Sequence, residues 1–181
     1  YYTLDYAGLG EQVSMLNGGL KAWKEEGRAI SQDITDLKKG NIDIRIKDAV
    51  RISKEEVLAS LDKKDVAIID ARPVERYYGT EQDTNSDRQG HIPGAVNIPY
   101  FQVTREGFSH LFKTKEELHQ LFSDYKIPEE ASLITYCGTG IWASPLYFTA
   151  RSLGYNVRFY DGSFQEWGND EALPVDSLVI E

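Results

Sequence analysis

The stretch SLITYCGTGIWASPLYFTARSLG, residues 132–154, decides the fold. It begins with a short apolar run, Ser132–Tyr136, which has the length and composition of a buried parallel strand. A glycine-rich loop follows, and then a helix is predicted over residues 143–153, with Pro145 in its first turn and Gly154 just past its end. A strand, a loop and a helix in this order are typical of α/β proteins, whose parallel strands need helical crossovers.

Signals for strands and helices alternate on both sides of this unit. Short apolar runs predict three further strands, at Val66–Asp70, Ala95–Ile98 and Val157–Tyr160. Capping boxes predict helices that begin after Ser53 and after Thr114, and a last helix is expected over Phe164–Trp167. The alternation predicts an α/β fold with a mainly parallel central sheet flanked by helices on both faces.

An internal repeat divides the chain. The stretch LGEQVSMLNGGLKAW, residues 9–23, aligns without gaps with LGYNVRFYDGSFQEW, residues 153–167. Leu, Gly, Val, Gly and Trp recur in register, and Asn17 matches Asp161 before the second glycine. The alternative interpretation is that two unrelated domains end in similar strand–turn–helix segments.

The repeat predicts three segments. Residues 1–30 are expected to be the last helix, strand and helix of an upstream module whose earlier part is absent. Residues 31–47 are expected to form a polar connector that contains a short alternating strand, Ile42–Ile46. Residues 48–181 are expected to form one complete module.

Composition narrows the classes of function. The net charge of −9 argues against a nucleic-acid backbone or an anionic membrane surface as the main partner. One cysteine excludes an internal disulfide and a multi-thiolate zinc site, and His91, His110 and His119 lack ligand spacing, so no metal site is expected. No apolar run approaches the roughly 20 residues of a membrane span. The first ten residues do not resemble a signal peptide and lack an initiator Met, which leaves both a cytoplasmic and a periplasmic location open.

Cys137 is the candidate reactive group. It directly follows the predicted strand that ends at Tyr136, and small ligands of α/β sheets bind at the carboxyl ends of strands. Gly138 and Gly140 allow the loop to curl with its backbone N–H groups inward, and the following helix N-terminus adds positive potential. These effects predict a lowered thiol pKa, and Ser144 is expected to add a hydroxyl donor. The alternative is an inert buried thiol.

Arg72 is the second candidate, at the end of the other apolar strand. Both strands are expected to deliver their ends to one edge of the sheet, where the Arg72 fork would bind a sulfonate or a carboxylate. An ordinary ion pair with Asp70 or Glu75 is an equally good interpretation. Asp70 is read as a supporting, structural partner of backbone amides. Further basic candidates are Arg76 and Arg88, for which a solvated surface position is the default.

Five motifs carry a resemblance to a known family. They are IIDAR at 68–72, RYYGT at 76–80, GHIPGAVNIP at 90–99, YCGTG at 136–140 and YDGSFQEW at 160–167. Together they resemble the rhodanese family over Val66–Trp167. The RYYGT motif with a long acidic stretch before GHIPGA resembles the catalytic C-terminal module of tandem thiosulfate and 3-mercaptopyruvate sulfurtransferases.

The resemblance implies a two-step reaction. The Cys137 thiolate takes a sulfur atom from a small anionic donor to form a persulfide, and cyanide, a thiol or a carrier protein then accepts that sulfur. It also implies that the arginine matching Arg72 contacts the donor, and that no cofactor or metal is required. The loop amides implied to hold the persulfide are those of Gly138, Thr139, Gly140, Ile141 and Trp142. The pocket of tandem members lies between two modules, so an upstream rhodanese module is an expected partner.

Trp142 departs from the family pattern. Many relatives carry a cationic or hydroxyl side chain near the end of this loop, where it helps to bind the dianion thiosulfate. Trp142 offers an indole N–H without charge, so the physiological donor is left open and poor activity toward thiosulfate is expected.

Two other functions are alternatives for a cysteine in such a loop. A cysteine phosphatase of the related C-x5-R group needs an arginine at the sixth residue after the cysteine, and here that residue is Ala143. A non-catalytic rhodanese-like module that binds sulfur or regulates a partner is the second alternative, which the unusual Trp142 favours and the retained Cys137 opposes.

Overall fold

Four parallel strands form the centre of the molecule in a computed structural model that describes residues 1–105 and 111–178. Strands β1 (Val66–Asp70), β2 (Val96–Asn97), β3 (Ser132–Tyr136) and β4 (Val157–Phe159) lie in the order β2-β1-β3-β4. In the central pair Val66 lies opposite Ser132 and Asp70 opposite Tyr136. The carboxyl ends of β1 and β3 therefore meet at one edge of the sheet, as the sequence predicts. His110 lies outside the described residues.

Seven α-helices are described in these two ranges. They are α1 (Tyr2–Tyr6), α2 (Gly19–Glu25), α3 (Lys54–Leu58), α4 (Val74–Tyr78), α5 (Lys115–Asp124), α6 (Ala143–Ser152) and α7 (Ser163–Gly168). Both predicted capping boxes are present: the side chains of Ser53 and Thr114 accept the backbone N–H of Glu56 and Glu117. None of these helices is long and apolar enough to cross a membrane.

Helices cover both faces of the sheet, which confirms the predicted architecture. Successive residues of a strand point to opposite faces, so Ile68 and Ile69 belong to two different core clusters. The cluster that contains Ile69 includes Phe122 of α5 and Leu146 of α6. The cluster on the other face joins Ile68 to apolar side chains of α3 and α7. A parallel sheet covered on both faces has strands that read as continuous apolar runs, as β1 and β3 do.

Two predicted strands are absent. The strand expected within residues 1–30 and the strand expected at residues 42–46 of the connector are both missing, since neither stretch has strand structure. A strand needs a neighbour that pairs its backbone groups, and neither stretch reaches a described strand. The connector instead returns to the end of α1, where the N–H of Arg45 and of Lys47 donate to the carbonyl groups of Ala7 and Tyr6 at 3.1 and 2.8 Å.

The N-terminal segment is packed against the main module. The Tyr2 ring stacks on the Phe159 ring of β4 with the centroids 4.1 Å apart. The buried Asp5 carboxylate accepts a 2.7 Å hydrogen bond from the Tyr147 hydroxyl of α6, and Lys47 and Arg151 each lie 3.5 Å from it. Helix α1 therefore shares the hydrophobic core of the module that follows it.

Candidate active site

Cys137 lies directly after β3, in the loop that leads into α6. Its side chain is buried, with an exposed fraction of 1%. The backbone N–H groups of Thr139, Gly140, Trp142 and Ala143 favour the charged form of this thiol and lower its pKa. Gly140 adopts a φ of +84°, a conformation that side chains other than glycine rarely accept and that the inward curl of the loop requires. The amides expected to face the sulfur included those of Gly138 and Ile141, which are not among these four, whereas that of Ala143 was not expected.

Burial nevertheless dominates the acidity of this thiol. Desolvation raises the pKa of Cys137 above its ordinary value, and the four backbone amides lower it by less. The sequence-based expectation of a lowered pKa was therefore wrong. Its physical reason is that the amides act on a sulfur atom that the core has removed from water.

Helix α7 holds the loop from the other side. The N–H of Phe164 donates to the Cys137 carbonyl and the N–H of Gln165 to the Gly138 carbonyl, both at 2.9 Å. The Ser163 hydroxyl accepts the N–H of Cys137 at 3.2 Å and donates to the Tyr160 carbonyl at 3.0 Å. Sequence reasoning did not select Ser163, because nothing in YDGSFQEW indicates that this serine reaches Cys137.

A cavity of about 140 Å³ opens above Cys137. Loop residues supply one part of its lining and two residues from the segment after β1 supply the other: Cys137, Gly138, Thr139, Ile141, Trp142, Arg76 and Asn85. The loop and this segment are separated by about fifty residues and meet because β1 and β3 are neighbours. Asn85 was also missed, since it lies in a polar stretch without a motif.

Asp83 explains how that polar stretch is held. Its carboxylate is buried and accepts hydrogen bonds from the backbone N–H and the side-chain Nδ2 of Asn85, at 3.1 and 3.3 Å. The other oxygen, Oδ2, lies 3.6 Å from Nη1 of Arg72. A buried carboxylate thus anchors one wall of the cavity to the end of β1.

Arg72 does not line the cavity. Its side chain is fully buried, and its guanidinium donates to both oxygens of Asp70 and, through Nη2 at 2.7 Å, to the Gly90 carbonyl. Asp70 also accepts the backbone N–H of Arg72 at 2.9 Å. Of the two interpretations of Arg72, the structure shows the ion pair with Asp70. Because Arg72 is buried at the end of β1, its positive charge is paired with the Asp70 carboxylate inside the core.

Arg76 is the arginine that reaches the cavity. It lies on α4, its Cζ is 5.3 Å from the centroid of the Trp142 ring, and its Nε donates to Glu81 at 3.2 Å. Nη1 and Nη2 have no hydrogen-bond acceptor among the residues that the structure describes. The basic residue that the sequence ranked as secondary is therefore the cation beside Cys137.

Three other candidates have structural partners. The Arg88 guanidinium donates to four carbonyl groups at the end of α7 and just beyond it, those of Trp167, Gly168, Asp170 and Leu173. The Ser144 hydroxyl donates to the Gly140 carbonyl at 3.3 Å and so supports the loop backbone instead of facing the cavity. His91 stacks on the Tyr77 ring, and its Nδ1 lies 2.8 Å from the Tyr77 carbonyl oxygen.

Comparison with known proteins gives one consistent family. The model of the "Rhodanese-like domain" family matches residues 53–170. The 3-mercaptopyruvate sulfurtransferase of Escherichia coli K12 is 32% identical over 170 residues, which are 93% of this chain and 59% of that protein. The thiosulfate sulfurtransferase of Gallus gallus is 31% identical over 86% of this chain and 53% of its own length. This chain therefore spans little more than half the length of these curated relatives.

A solved structure shows the same likeness. EanB, in a complex with ergothioneine covalently linked to a cysteine persulfide, superposes with a TM-score of 0.83 and 26% identity. The match covers 99% of this chain and 44% of the EanB chain. The described fold and the sequence relatives thus lead to the same family.

Proposed function

Because this chain belongs to the rhodanese-like domain family, we propose that it is a sulfurtransferase that carries sulfur on Cys137 as a persulfide. The observation that carries the proposal is the position of Cys137, which follows the end of β3 and lines a small cavity together with its glycine-containing loop. Four backbone N–H groups of that loop and of the start of α6 favour the charged form of the thiol. The named relatives transfer sulfur from 3-mercaptopyruvate and thiosulfate, and the EanB structure contains a cysteine persulfide.

In the first half-reaction the Cys137 thiolate attacks the outer sulfur of the donor. A new S–S bond forms on Cys137, and with thiosulfate the old S–S bond breaks and its electron pair leaves with sulfite. With 3-mercaptopyruvate the C–S bond breaks, and the thiol proton of the donor ends on the carbon that becomes the methyl group of pyruvate. In both cases the product on the protein is a persulfide anion.

The backbone amides of the loop are expected to stabilise the persulfide anion. Its outer sulfur carries the negative charge, and the N–H groups that surround Cys137 are fixed donors that need no reorganisation. Burial raises the pKa of the free thiol, so the resting form is protonated at neutral pH and the amides act mainly on the charged states. The second half-reaction delivers the sulfur to cyanide, a thiol or a carrier protein.

Arg76 is proposed to bind the anionic group of the donor. The chain has a net charge of −9, so an anion site requires a local cation. Arg76 lines the cavity, and its two terminal nitrogens have no acceptor among the described residues. Arg72 is not part of that lining, and its Nε and Nη2 donate to Asp70 and Gly90. A planar fork of this kind suits a carboxylate or a sulfonate.

Residues 1–30 are proposed to belong to an upstream module. The relatives are longer than this chain, and the N-terminal segment carries exposed apolar side chains at Leu4, Met15, Leu16 and Leu20. Apolar side chains grouped on one segment favour a contact with further protein. The repeat between residues 9–23 and 153–167 supports the same division.

Mass spectrometry of a single turnover tests the function. After incubation with thiosulfate or 3-mercaptopyruvate and removal of the free donor, the intact chain is expected to gain one sulfur atom on Cys137. The Cys137→Ser variant is expected to gain none. If neither donor adds sulfur to the wild-type protein, the sulfurtransferase proposal fails, and a non-catalytic sulfur-binding or regulatory module becomes the better reading.

A further inference from the structure

We propose that Trp142 is a positioning residue, which holds the Arg76 guanidinium beside the cavity and so supplies the positive charge that the cysteine loop lacks. The inference rests on the proposed function of Cys137. It assigns to the indole a role in donor binding without direct contact with the transferred sulfur.

The charge at this cavity comes from outside the loop. Residues 138–142 are Gly, Thr, Gly, Ile and Trp, none of which is charged. Arg76 is the one cationic side chain among the described residues that line the cavity. It belongs to α4, so its long side chain must be fixed by something else if its charge is to stay near Cys137.

The indole provides that fixed surface. Trp142 is stacked on the Tyr100 ring, with the centroids 5.1 Å apart and the planes 17° from parallel. Tyr100 begins a 3-10 helix, Tyr100–Val103, and its backbone N–H donates to the Ala71 carbonyl at 3.0 Å. The Arg76 Cζ then lies 5.3 Å from the centroid of the Trp142 ring, within the range of a cation–π contact. Trp142 is therefore in contact with both the Tyr100 ring and the Arg76 guanidinium.

A cation–π contact leaves the guanidinium N–H groups available to hydrogen-bond acceptors, because the ring attracts the charge without supplying a lone pair to each N–H. Nε of Arg76 donates a hydrogen bond to Glu81 at 3.2 Å, and Nη1 and Nη2 have no acceptor among the described residues. Trp142 can therefore position Arg76 without using the groups that would bind an anion.

Glu81 is the competing contact. It is the one acidic side chain paired with Arg76 in the described structure, and about half of its side chain is exposed. Without the indole, this surface ion pair would be the remaining restraint on Arg76, and such pairs hold long side chains weakly. Loss of Trp142 is therefore expected to move the positive charge away from the cavity without removing it from the protein.

The test measures the rate of persulfide formation on Cys137 against donor concentration. For Trp142→Leu we expect the half-saturating concentration of 3-mercaptopyruvate to rise by about fivefold to tenfold, the size of one cation–π contact, with little change in the saturating rate. Trp142→Phe keeps an aromatic face and is expected to recover most of the loss. In an Arg76→Ala background, Trp142→Leu is expected to add no further increase.

A matched control exists elsewhere in the chain. Trp23 of α2 forms a similar contact with Arg28, whose Cζ lies 5.1 Å from the ring centroid. Neither residue lines the cavity, so Trp23→Leu removes a tryptophan–arginine pair elsewhere and is expected to leave donor binding unchanged. If the wild-type protein forms the persulfide and Trp142→Leu has the same half-saturating donor concentration, the inference about Trp142 is overturned and the proposed function stands. If Trp142→Leu raises the half-saturating donor concentration equally with Arg76 and with Ala at position 76, the inference is also overturned, because Trp142 would then act on the loop itself. Absence of persulfide in the wild type would instead refute the proposed function.

Discussion

The backbone N–H of Cys137 is hydrogen-bonded to the hydroxyl of Ser163, at 3.2 Å and across 26 residues of sequence. The contact joins the loop after β3 to the first residue of α7, which lies after β4. Ser163 has a φ of +53°, in the left-handed region that residues with a side chain rarely adopt. Its hydroxyl is fully buried, so the orientation of Cys137 depends on a strained residue held by the surrounding core.

Removal of the Ser163 hydroxyl is expected to destabilise the protein. Ser163→Ala leaves the Cys137 N–H and the Tyr160 carbonyl without this partner in the core, which costs about 1–3 kcal/mol. Ser163→Gly loses the same bonds and relieves the left-handed backbone, so it is expected to be the less damaging change. Urea unfolding compares the two, and a Ser163→Ala protein as stable as the wild type would contradict the role assigned to the hydroxyl.

Alkylation of Cys137 is expected to be slow at neutral pH and to accelerate in alkali. Desolvation raises the thiol pKa above its ordinary value, so the reactive thiolate is a minor species at pH 7. The rate with iodoacetamide, a neutral reagent, should increase roughly tenfold per pH unit from pH 7 to 9, as the thiolate fraction does. Mass spectrometry after timed quenching follows the reaction, and a rate that levels off at pH 7 would show a lowered pKa instead.

The same pKa predicts a direction for stability. A folded-state pKa raised above that of the unfolded chain means that the folded protein retains a proton that the unfolded chain releases. Stability is therefore lost as the pH rises above the ordinary thiol pKa. Cys137→Ser cannot titrate in this range, so its unfolding free energy should fall less between pH 8 and 10 than that of the wild type; equal slopes would contradict the prediction.

Substitutions of Arg72 and Arg76, the two arginines near the end of β1, are expected to have different effects. Arg72→Met leaves the Asp70 carboxylate buried without its partner and should cost about 3–5 kcal/mol of unfolding free energy. Arg76→Ala removes a partly exposed side chain, so its stability should change by less than about 1 kcal/mol. It should raise the half-saturating donor concentration about tenfold or more through the loss of a charged hydrogen bond. A normal donor response in Arg76→Ala would refute its assignment as the anion contact.

The Tyr147 hydroxyl is expected to stabilise the contact between α1 and α6. Tyr147→Phe deprives the buried Asp5 carboxylate of a 2.7 Å hydrogen bond and should cost about 1–3 kcal/mol. Tyr6→Phe is the matched control, because the Tyr6 hydroxyl donates to Asp48 at the exposed surface and its loss should cost little. Equal unfolding free energies for the two variants would mean that α1 is not part of the folding unit.

Much of the fold could be read from local patterns. The apolar runs at β1 and β3 and the two capping boxes are signals within a few residues, and the structure contains each of them. The predicted strand at Ile42–Ile46 failed because alternation does not show whether a pairing partner exists. The prediction of a lowered pKa for the Cys137 thiol failed for a related reason, since the burial of the thiol depends on the whole core.

The sequence by itself determined the local arrangement of the loop around Cys137. A cysteine at a strand end, glycines that let the amides converge and a helix behind them are all contiguous, so their arrangement is fixed by backbone geometry. Only the tertiary structure decided which arginine faces that cysteine. Arg72 and Arg76 are four residues apart, but one side chain is buried against Asp70 and the other reaches the cavity over Trp142. That choice follows from the packing of α4 and β1 against distant loops, which a short motif does not encode.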